Sequence, residues 1–176
     1  MSIANSRYLI DTSVFIQAYR AYYSFKLCPG FWHSILSLHK QGLVLSIDRV
    51  FDEMCFGDED ELHLWARKTV PKEFFSDSTT SEVVNWYAQL QQWANKQSQF
   101  HASAKQEFAS DADAWLIAYA GANNFTVVTQ EVFAYDIKRR IPIPNVCKSQ
   151  AFRIPVVDVF TMLERLNIQF NWSRES

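Results

Sequence analysis

The stretch "YLIDTSVFIQAY", residues 8–19, places a carboxylate and two hydroxyl groups between two apolar runs. The apolar residues before Asp11 indicate a short buried strand, and those after Ser13 indicate a helix. One interpretation is a helix N-cap, in which Asp11 or Thr12 accepts hydrogen bonds from the first free N–H groups. The other is a functional carboxylate at the end of a strand. The positions of the other acidic residues help to decide between these two interpretations.

Composition indicates a single globular domain. The 176 residues are 48% hydrophobic and 15% aromatic, which is enough for a core, and we expect one domain over residues 1–170 with a loose tail at 171–176. No apolar run reaches roughly 18 residues, and the first residues lack a secretory-signal pattern. We therefore expect a cytoplasmic protein with buried free thiols at Cys28, Cys55 and Cys147. The net charge of −2 means that a nucleic-acid partner would need a local basic patch.

Strand-like and helical segments alternate along the chain. Four apolar runs indicate buried strands, at residues 7–10, 43–47, 125–129 and 154–160. Helical periodicity fills the intervals between them. Strands separated by helices are joined by parallel crossovers. We therefore expect an α/β fold, a three-layer α/β/α sandwich around a parallel sheet of about four to five strands.

Two glycines and one aromatic-rich helix define further expected boundaries. Gly42 and Gly121 follow helical segments and are predicted to end them. The stretch from Ser81 to about Ser98 is amphipathic. We assign its apolar face to the core rather than to a binding surface: Val83, Trp86, Tyr87, Leu90 and Trp93. A polar stretch near residues 99–109 separates this helix from the next.

Four acids lie near the ends of the predicted strands. In an open parallel sheet, functional sites lie beyond the carboxyl ends of the strands. Asp11 follows the first strand and Glu131 the third, Glu53 lies on the short helix after the second strand, and Asp113 begins the helix that leads into the third strand. Clustered carboxylates repel one another unless something compensates their charge. Mg²⁺ and Mn²⁺ prefer oxygen ligands, so the pattern predicts a site for one or two hard divalent cations.

Each acid also has an ordinary structural interpretation. Glu53 follows Arg49 by about one helical turn, the spacing of a surface ion pair. Ser110 and Asp113 have the spacing of a capping box. Glu131 would simply begin a loop. These alternatives stay open on the sequence alone.

The chain lacks the motifs of several other kinds of site. Its histidines show no spacing typical of metal ligands, namely His33, His39, His63 and His101. GxSxG, a glycine-rich phosphate loop and GxGxxG are absent, and four glycines are too few for such loops. The pattern therefore favours hard oxygen ligands over a zinc centre, a serine nucleophile or a dinucleotide.

Four motifs carry the acids, in the order "YLIDTSVFI", "VFDEM", "DADAWLIAYA" and "FTVVTQE". In this order and spacing the chain resembles the PIN domains, the ribonuclease fold of VapC-like bacterial toxins, over about residues 7–165. The family's strand-one motif D-[TS]-[SN] matches residues 11–13, and its V-x-x-E pattern ends at Glu53. Its D-A-x-x-I-A-x-A helix begins at Asp113. The ending "IPNVCKSQAFRIPVVDVF" resembles a PIN-like subgroup of unassigned function.

The chain departs from the family pattern at the fourth acid. Many relatives have T-x-D or T-x-N where this chain has Thr129-Gln130-Glu131. Asp111 is a candidate auxiliary acid, although it would face away from Asp113 if both residues were helical. The segment from about 57 to 105 is longer than in the compact toxins and is predicted as a helical insert.

The resemblance implies metal-dependent hydrolysis of RNA phosphodiester bonds. Asp11 and Asp113 would hold the first Mg²⁺ or Mn²⁺, and Glu131 would help to hold a second, weaker ion. Glu53 would orient the attacking water or bind the metals through water. Hydroxyl groups would orient the carboxylates, from Thr12, Ser13 and Thr129. Helix capping and strand-end hydrogen bonds are the alternative role of these hydroxyls.

Basic residues follow the predicted metal site. Lys138, Arg139 and Arg140 would suit the phosphates of RNA, with a solvated basic loop as the alternative, and Lys148 and Arg153 come later. The resemblance also implies a cognate antitoxin protein as partner and a homodimer.

Two alternatives come from other functional classes. One is a non-catalytic PIN-fold module that binds RNA or a protein. The other is a haloacid-dehalogenase-like phosphatase, which also has an aspartate after its first strand. That class needs a second aspartate where this chain has Ser13.

Overall fold

A parallel sheet of five strands forms the centre of the protein. The computed structural model describes residues 6–171, so residues 172–176 of the predicted tail lie outside the described residues. The strands are β1 (Tyr8–Ile10), β2 (Val44–Ile47), β3 (Phe75–Ser76), β4 (Thr126–Val128) and β5 (Val156–Val157). Their order in the sheet is β3-β2-β1-β4-β5, and every neighbouring pair is parallel.

Helices connect the strands, and the described residues contain nine α-helices. They are α1 (Thr12–Gln17), α2 (Pro29–Lys40), α3 (Asp48–Met54), α4 (Glu61–Lys68), α5 (Ser81–Lys96), α6 (Ala102–Ser110), α7 (Ala112–Asn123), α8 (Ile143–Cys147) and α9 (Val159–Arg165). A π-helical turn, Ala18–Tyr22, follows α1, and a short 3-10 turn, Lys72–Phe74, precedes β3. None of the helices in the described part is long and apolar enough to cross a membrane.

Both faces of the central strands are covered. Every residue of β1 and β4 is buried, although successive side chains of a strand point to opposite faces. Such continuous burial is typical of parallel sheets with helices on both sides. The expected three-layer α/β/α sandwich is therefore confirmed. Leu9 of β1 pairs with Leu45 on one side and with Val127 on the other.

The order of the strands creates a switch point between β1 and β4. The chain runs from β1 to β2 and β3 on one side and then returns to the other side of β1. The connections that leave β1 and enter β4 diverge there and leave a crevice at the carboxyl ends of the two strands. Asp11 follows β1 and Thr129 follows β4, so both residues lie at this crevice.

Three elements differ from the sequence-based prediction. β3 is a two-residue edge strand inside the segment from about 57 to 105, so this insert is not purely helical. The polar stretch near residues 99–109 contains α6. Gly121 does not end a helix but lies within α7, which ends at Asn123 and is followed by Asn124 in the left-handed conformation. Gly42 does follow a helix end, with φ of 73°.

The interface between α5 and α7 explains the glycine at 121. A Cβ atom at this position would lie 2.5 Å from the ring of Trp86 on α5. Tyr87 of α5 stacks on Trp115 of α7 with ring centroids 4.0 Å apart. The apolar face of α5 therefore belongs to the core, as predicted. Trp86 and Tyr87 pack between the two helices.

The cysteines are free thiols with different exposures. Cys147 is buried, and burial raises the pKa of its thiol to about 12. Cys28 and Cys55 are only partly buried, so the expectation of three buried thiols is correct for Cys147 alone.

Candidate acidic site at the sheet switch point

Asp11 is a buried carboxyl group held by two hydroxyls. It is only 4% exposed, and its Oδ2 accepts hydrogen bonds from Ser13 and, at 2.8 Å, from Thr129. Asp11 occupies the N-cap position of α1, but its side chain makes no capping hydrogen bond. Burial raises the pKa of Asp11, and the two hydroxyl hydrogen bonds oppose this shift. The Asp11 carboxyl group is therefore engaged mainly by the Ser13 and Thr129 hydroxyls.

The hydroxyl groups at the crevice form a short network. The hydroxyl oxygens of Ser13 and Thr129 lie 3.2 Å apart. The backbone N–H of Gln130 donates to Ser13 Oγ at 3.1 Å, and that of Glu131 donates to Thr129 Oγ1 at 3.1 Å. The first turn after β1 is thus joined to the first turn after β4, and the network limits the rotation of the Asp11 carboxyl group.

Glu53 reaches the crevice from α3. Its Oε2 accepts a hydrogen bond from the Thr12 hydroxyl, and its Oε1 lies 3.4 Å from the backbone nitrogen of Ala112. Desolvation of the carboxyl group and the charge of Asp11 raise the pKa of Glu53, against the Thr12 hydrogen bond. Arg49 does not pair with Glu53: its guanidinium lies 4.1 Å over the Trp115 ring. The surface ion-pair interpretation is wrong.

Asp113 lies on the first turn of α7 and faces the same acids. Desolvation raises the pKa of Asp113 well above its ordinary value of 3.8, and the nearby charges of Asp11 and Glu53 add to this shift. The alternative of a capping box does not occur, because Ser110 ends α6 and donates its hydroxyl to the Glu107 carbonyl at 2.9 Å. Asp113 thus faces the acids instead of capping its helix.

Asp111, the candidate auxiliary acid, also lies with the cluster, and the condition under which it would face away does not hold. The two aspartates are not both helical, because Asp111 has an extended backbone with ψ of 160° before α7 begins. Its charge raises the pKa of Asp113 and of Glu53. Desolvation raises the pKa of Asp111, and Arg140 lowers it. The sequence indicated Asp111 as an auxiliary acid but did not specify that α7 begins only at Ala112.

Glu131, predicted as a ligand for a second metal, makes two protein contacts. Its Oε1 forms an ion pair with Arg140, and its Oε2 accepts a 2.8 Å hydrogen bond from the Ile143 backbone N–H. Arg140 also lowers the pKa of Asp113. Arg140 was predicted as a phosphate contact, and its link to Glu131 had no signal in the sequence. Arg140 thus links Glu131 to the acidic cluster, because it pairs with Glu131 and also lowers the pKa of Asp113.

Two adjoining cavities border these residues. A cavity of about 190 Å³ is lined by Asp111, Asp113, Glu107 and Arg140 among others. A larger groove of about 680 Å³ also includes Glu107 and Arg140. We call it the basic groove because of its cations, Lys138, Arg139 and Arg140. All three cations are exposed, as is Arg153, while Lys148 lies 5.9 Å from the Phe133 ring.

The donor set fits a hard cation that keeps much of its water. Within residues 6–171, no group of three histidine, cysteine, aspartate or glutamate side chains stands ready to hold a metal ion. Mg²⁺ is usually bound by one or two carboxylates together with waters and substrate phosphates. Desolvation raises the pKa of Asp11, Glu53 and Asp113, and the charges of Asp11 and Glu53 add to the shift of Asp113. Such a set suits a hard cation, because a positive charge would relieve the repulsion at Asp113.

Comparison with known proteins places the chain in a family without assigned activity. The family described as "Domain of unknown function (DUF4411)" matches residues 8–170, so the chain belongs to this family. No curated protein matches the chain.

Proposed function

We propose that this member of the DUF4411 family is a metal-dependent endoribonuclease that hydrolyses phosphodiester bonds of RNA. The observation that carries the proposal is the meeting of Asp11, Glu53 and Asp113 at the switch point. Desolvation raises the pKa of all three, and the charges of neighbouring carboxylates raise the pKa of Glu53 and Asp113 further. Such an arrangement costs stability, and strongly shifted groups in a cleft are typical of functional sites.

The residues at the crevice have separate tasks in this mechanism. Asp11 and Asp113 would hold Mg²⁺ or Mn²⁺, which supplies charge to lower the pKa of water and to screen the phosphate. Glu53 orients the attacking water and accepts its proton, since a carboxylate with a raised pKa is a stronger base. The Thr12 hydroxyl fixes the orientation of Glu53 by donating to its Oε2.

The basic groove supports a polyanionic substrate. It joins the acidic cavity through Arg140, which lines both. Lys138 and Arg139 would contact backbone phosphates, which position a nucleic acid without reading its sequence. Arg140 lies where the phosphate nearest the acids would pass. The net charge of the whole chain is −2, so this groove provides the local attraction that the global charge does not.

A cleavage assay on single-stranded RNA tests the proposal. We expect cleavage with Mn²⁺ or Mg²⁺, none with EDTA, and a rate loss of about a hundredfold or more in Asp11→Asn and Asp113→Asn. Glu164→Gln is the control, because it removes an exposed carboxylate of α9, outside the acid cluster. Cleavage that persists in EDTA and in Asp113→Asn would refute the proposal.

We further propose that the nuclease is the toxin of a toxin–antitoxin pair, a role supported by the motif resemblance to VapC-like proteins. Expression of the wild-type gene alone should then arrest bacterial growth, and Asp11→Ala should relieve the arrest. Co-expression of a cognate antitoxin protein should also relieve it. Equal arrest by the wild type and by folded Asp11→Ala would exclude cleavage as the cause.

A non-catalytic RNA- or protein-binding module is the second candidate function. The observation that favours it is the lack, within residues 6–171, of a ready three-ligand group for a metal. RNA binding without cleavage at any concentration of Mn²⁺ would support this alternative. The retention of every acid in the cluster supports the nuclease instead.

A further inference from the structure

A third cavity, lined by aromatic residues, adjoins the basic groove. It has a volume of about 340 Å³. Its lining includes Trp93, Phe100, Phe133 and Tyr135. Side-chain amides of Gln97 and Gln99 lie on the same wall, and Lys138 lines both this cavity and the basic groove. We call it the aromatic pocket.

Two of its aromatic rings are exposed on the loop that follows β4. Tyr135 is 81% exposed and Phe133 is 47% exposed. Exposed apolar side chains do not contribute burial energy to folding, and a cluster of them usually marks an interaction surface. Phe100 is buried beneath them and forms the floor of the pocket together with the half-buried Trp93.

The exposed loop is held in place by side-chain hydrogen bonds. The Gln99 amide donates to the carbonyls of Tyr135 and Ile137, each at 2.8 Å. Asn145 pairs with both the N–H and the carbonyl of Ala134, at 3.0 and 2.8 Å. The rings are therefore presented on an ordered backbone. A preorganised aromatic surface loses little conformational entropy when it binds a ligand.

The pocket continues the path that leads to the acids. Arg140 belongs to both the acidic cavity and the basic groove, and Lys138 belongs to both the basic groove and the aromatic pocket. The three sites thus follow one another along the surface. Phosphates that contact Lys138 and Arg140 would bring the base of a neighbouring nucleotide beside Tyr135.

We infer that the aromatic pocket binds an unpaired nucleobase of the RNA strand by stacking on Tyr135 and Phe133. The inference rests on the proposed nuclease function and adds the kind of RNA that the site takes. Bases stack on aromatic side chains only when they are free of a duplex. The pocket is lined by Lys138 and Asp136 as well as by the rings, and Lys138 connects it to the cations of the basic groove. Aromatic rings that adjoin a cationic groove suit a nucleotide better than an apolar peptide. The substrate is therefore single-stranded or looped RNA.

A binding assay under conditions that prevent cleavage tests this inference separately from the nuclease activity. The probes are a fluorescein-labelled single-stranded RNA and an oligomer of equal length whose bases near one end are replaced by abasic sites. Affinity is measured by fluorescence anisotropy in EDTA, where no cleavage is expected. Tyr135→Ala should weaken binding of the base-containing RNA by roughly fivefold or more and leave binding of the abasic oligomer almost unchanged. Tyr135→Phe should retain the wild-type affinity.

Two further variants distinguish the effect of base stacking on RNA affinity from the effect of charge and from that of any change to the protein surface. Lys138→Ala should weaken binding of both oligomers equally, because it removes a phosphate contact. Leu27→Ala, at a side chain that is 76% exposed in another loop, should change neither affinity. Equal binding of both oligomers by the wild type, an equal loss for both in Tyr135→Ala, or no RNA binding at all would overturn the inference.

The result is distinguishable from failure of the proposed function. Tyrosine-dependent binding of bases without cleavage in Mn²⁺ would retain the pocket and reject the nuclease. Metal-dependent cleavage with no effect of Tyr135→Ala would retain the nuclease and reject the pocket. Because Tyr135 is mostly exposed, all variants should unfold at the wild-type temperature.

Discussion

The Thr129 hydroxyl donates a hydrogen bond of 2.8 Å to Oδ2 of Asp11, across 118 positions of the sequence. Both residues are buried at the carboxyl ends of adjacent strands. A buried carboxylate that receives such bonds is held in one orientation and is partly compensated for the loss of water. The position of the central acid therefore depends on the pairing of β1 with β4.

The first prediction concerns Asp113 and metal binding. In EDTA, Asp113→Asn should melt at the wild-type temperature or higher, because the change removes repulsion from Asp11 and Glu53. Mn²⁺ at a hundred times its dissociation constant should stabilise the wild type by about 2.7 kcal/mol and the variant much less. Thermal melts of both proteins with EDTA and with Mn²⁺ measure this. Identical responses to Mn²⁺ would remove Asp113 from the metal site.

The second prediction concerns pH in the absence of metal. The pKa of Asp113 is raised in the folded protein above its ordinary value of 3.8, so the folded state binds this proton more tightly than the unfolded state. This contribution to stability is complete below the ordinary pKa and is lost as pH rises through the raised pKa. Over that window the stability of the wild type relative to Asp113→Asn should fall, by at most about 1.4 kcal/mol per pH unit.

Urea unfolding of both proteins in EDTA at a series of pH values checks this dependence. Comparison with the variant cancels most contributions of the other carboxyl groups, apart from those coupled to Asp113 itself. A stability difference that stays constant from acidic to neutral pH would show that Asp113 has an ordinary pKa.

The third prediction separates two roles of Glu131. If Glu131 positions Arg140, then Glu131→Gln and Arg140→Gln should each lower the cleavage rate by roughly tenfold, and the double variant should be no slower. Arg165→Gln, at an exposed arginine of α9 outside the basic groove, is the control. An increase in the Mn²⁺ concentration for half-maximal rate in Glu131→Gln alone would instead identify Glu131 as a metal ligand.

The fourth prediction concerns the contact between α5 and α7. Gly121→Ala places a Cβ atom within 2.5 Å of the Trp86 ring, and overpacking of this kind typically costs about 1–3 kcal/mol. Alanine has the higher helix propensity, which offsets up to about 1 kcal/mol. We expect a net loss of stability in urea unfolding. Trp86→Leu should cost less in the Gly121→Ala background than in the wild type, and additive effects would exclude the clash.

The central strands β1, β2 and β4 could be predicted from the sequence, because strands buried on both faces appear as apolar runs. Such runs can be recognised without knowing which strands pair. β3 has only two residues and therefore no detectable period, and its position depends on pairing with β2. The helix α6 has a polar composition and only two buried residues, Ala104 and Phe108, so its periodicity is weak.

The candidate site was predictable in part for similar reasons. Asp11, Glu53 and Asp113 were identified because strand ends converge in a parallel sheet. The inclusion of Asp111 depends on its extended backbone, which the pattern of residues does not specify. The pairing of Glu131 with Arg140 depends on how a loop folds back, and loops lack the periodicity that makes strands and helices predictable.

The order of the strands also has a consequence during translation. A nascent chain that has left the ribosome only as far as α7 carries Asp11, Glu53 and Asp113, but it lacks the strand that holds Asp11 from the other side. The Ser13 and Thr129 hydroxyls meet only after β4 has been synthesised and has docked beside β1. The proposed nuclease would therefore become competent only late in its own synthesis, after β4 has docked.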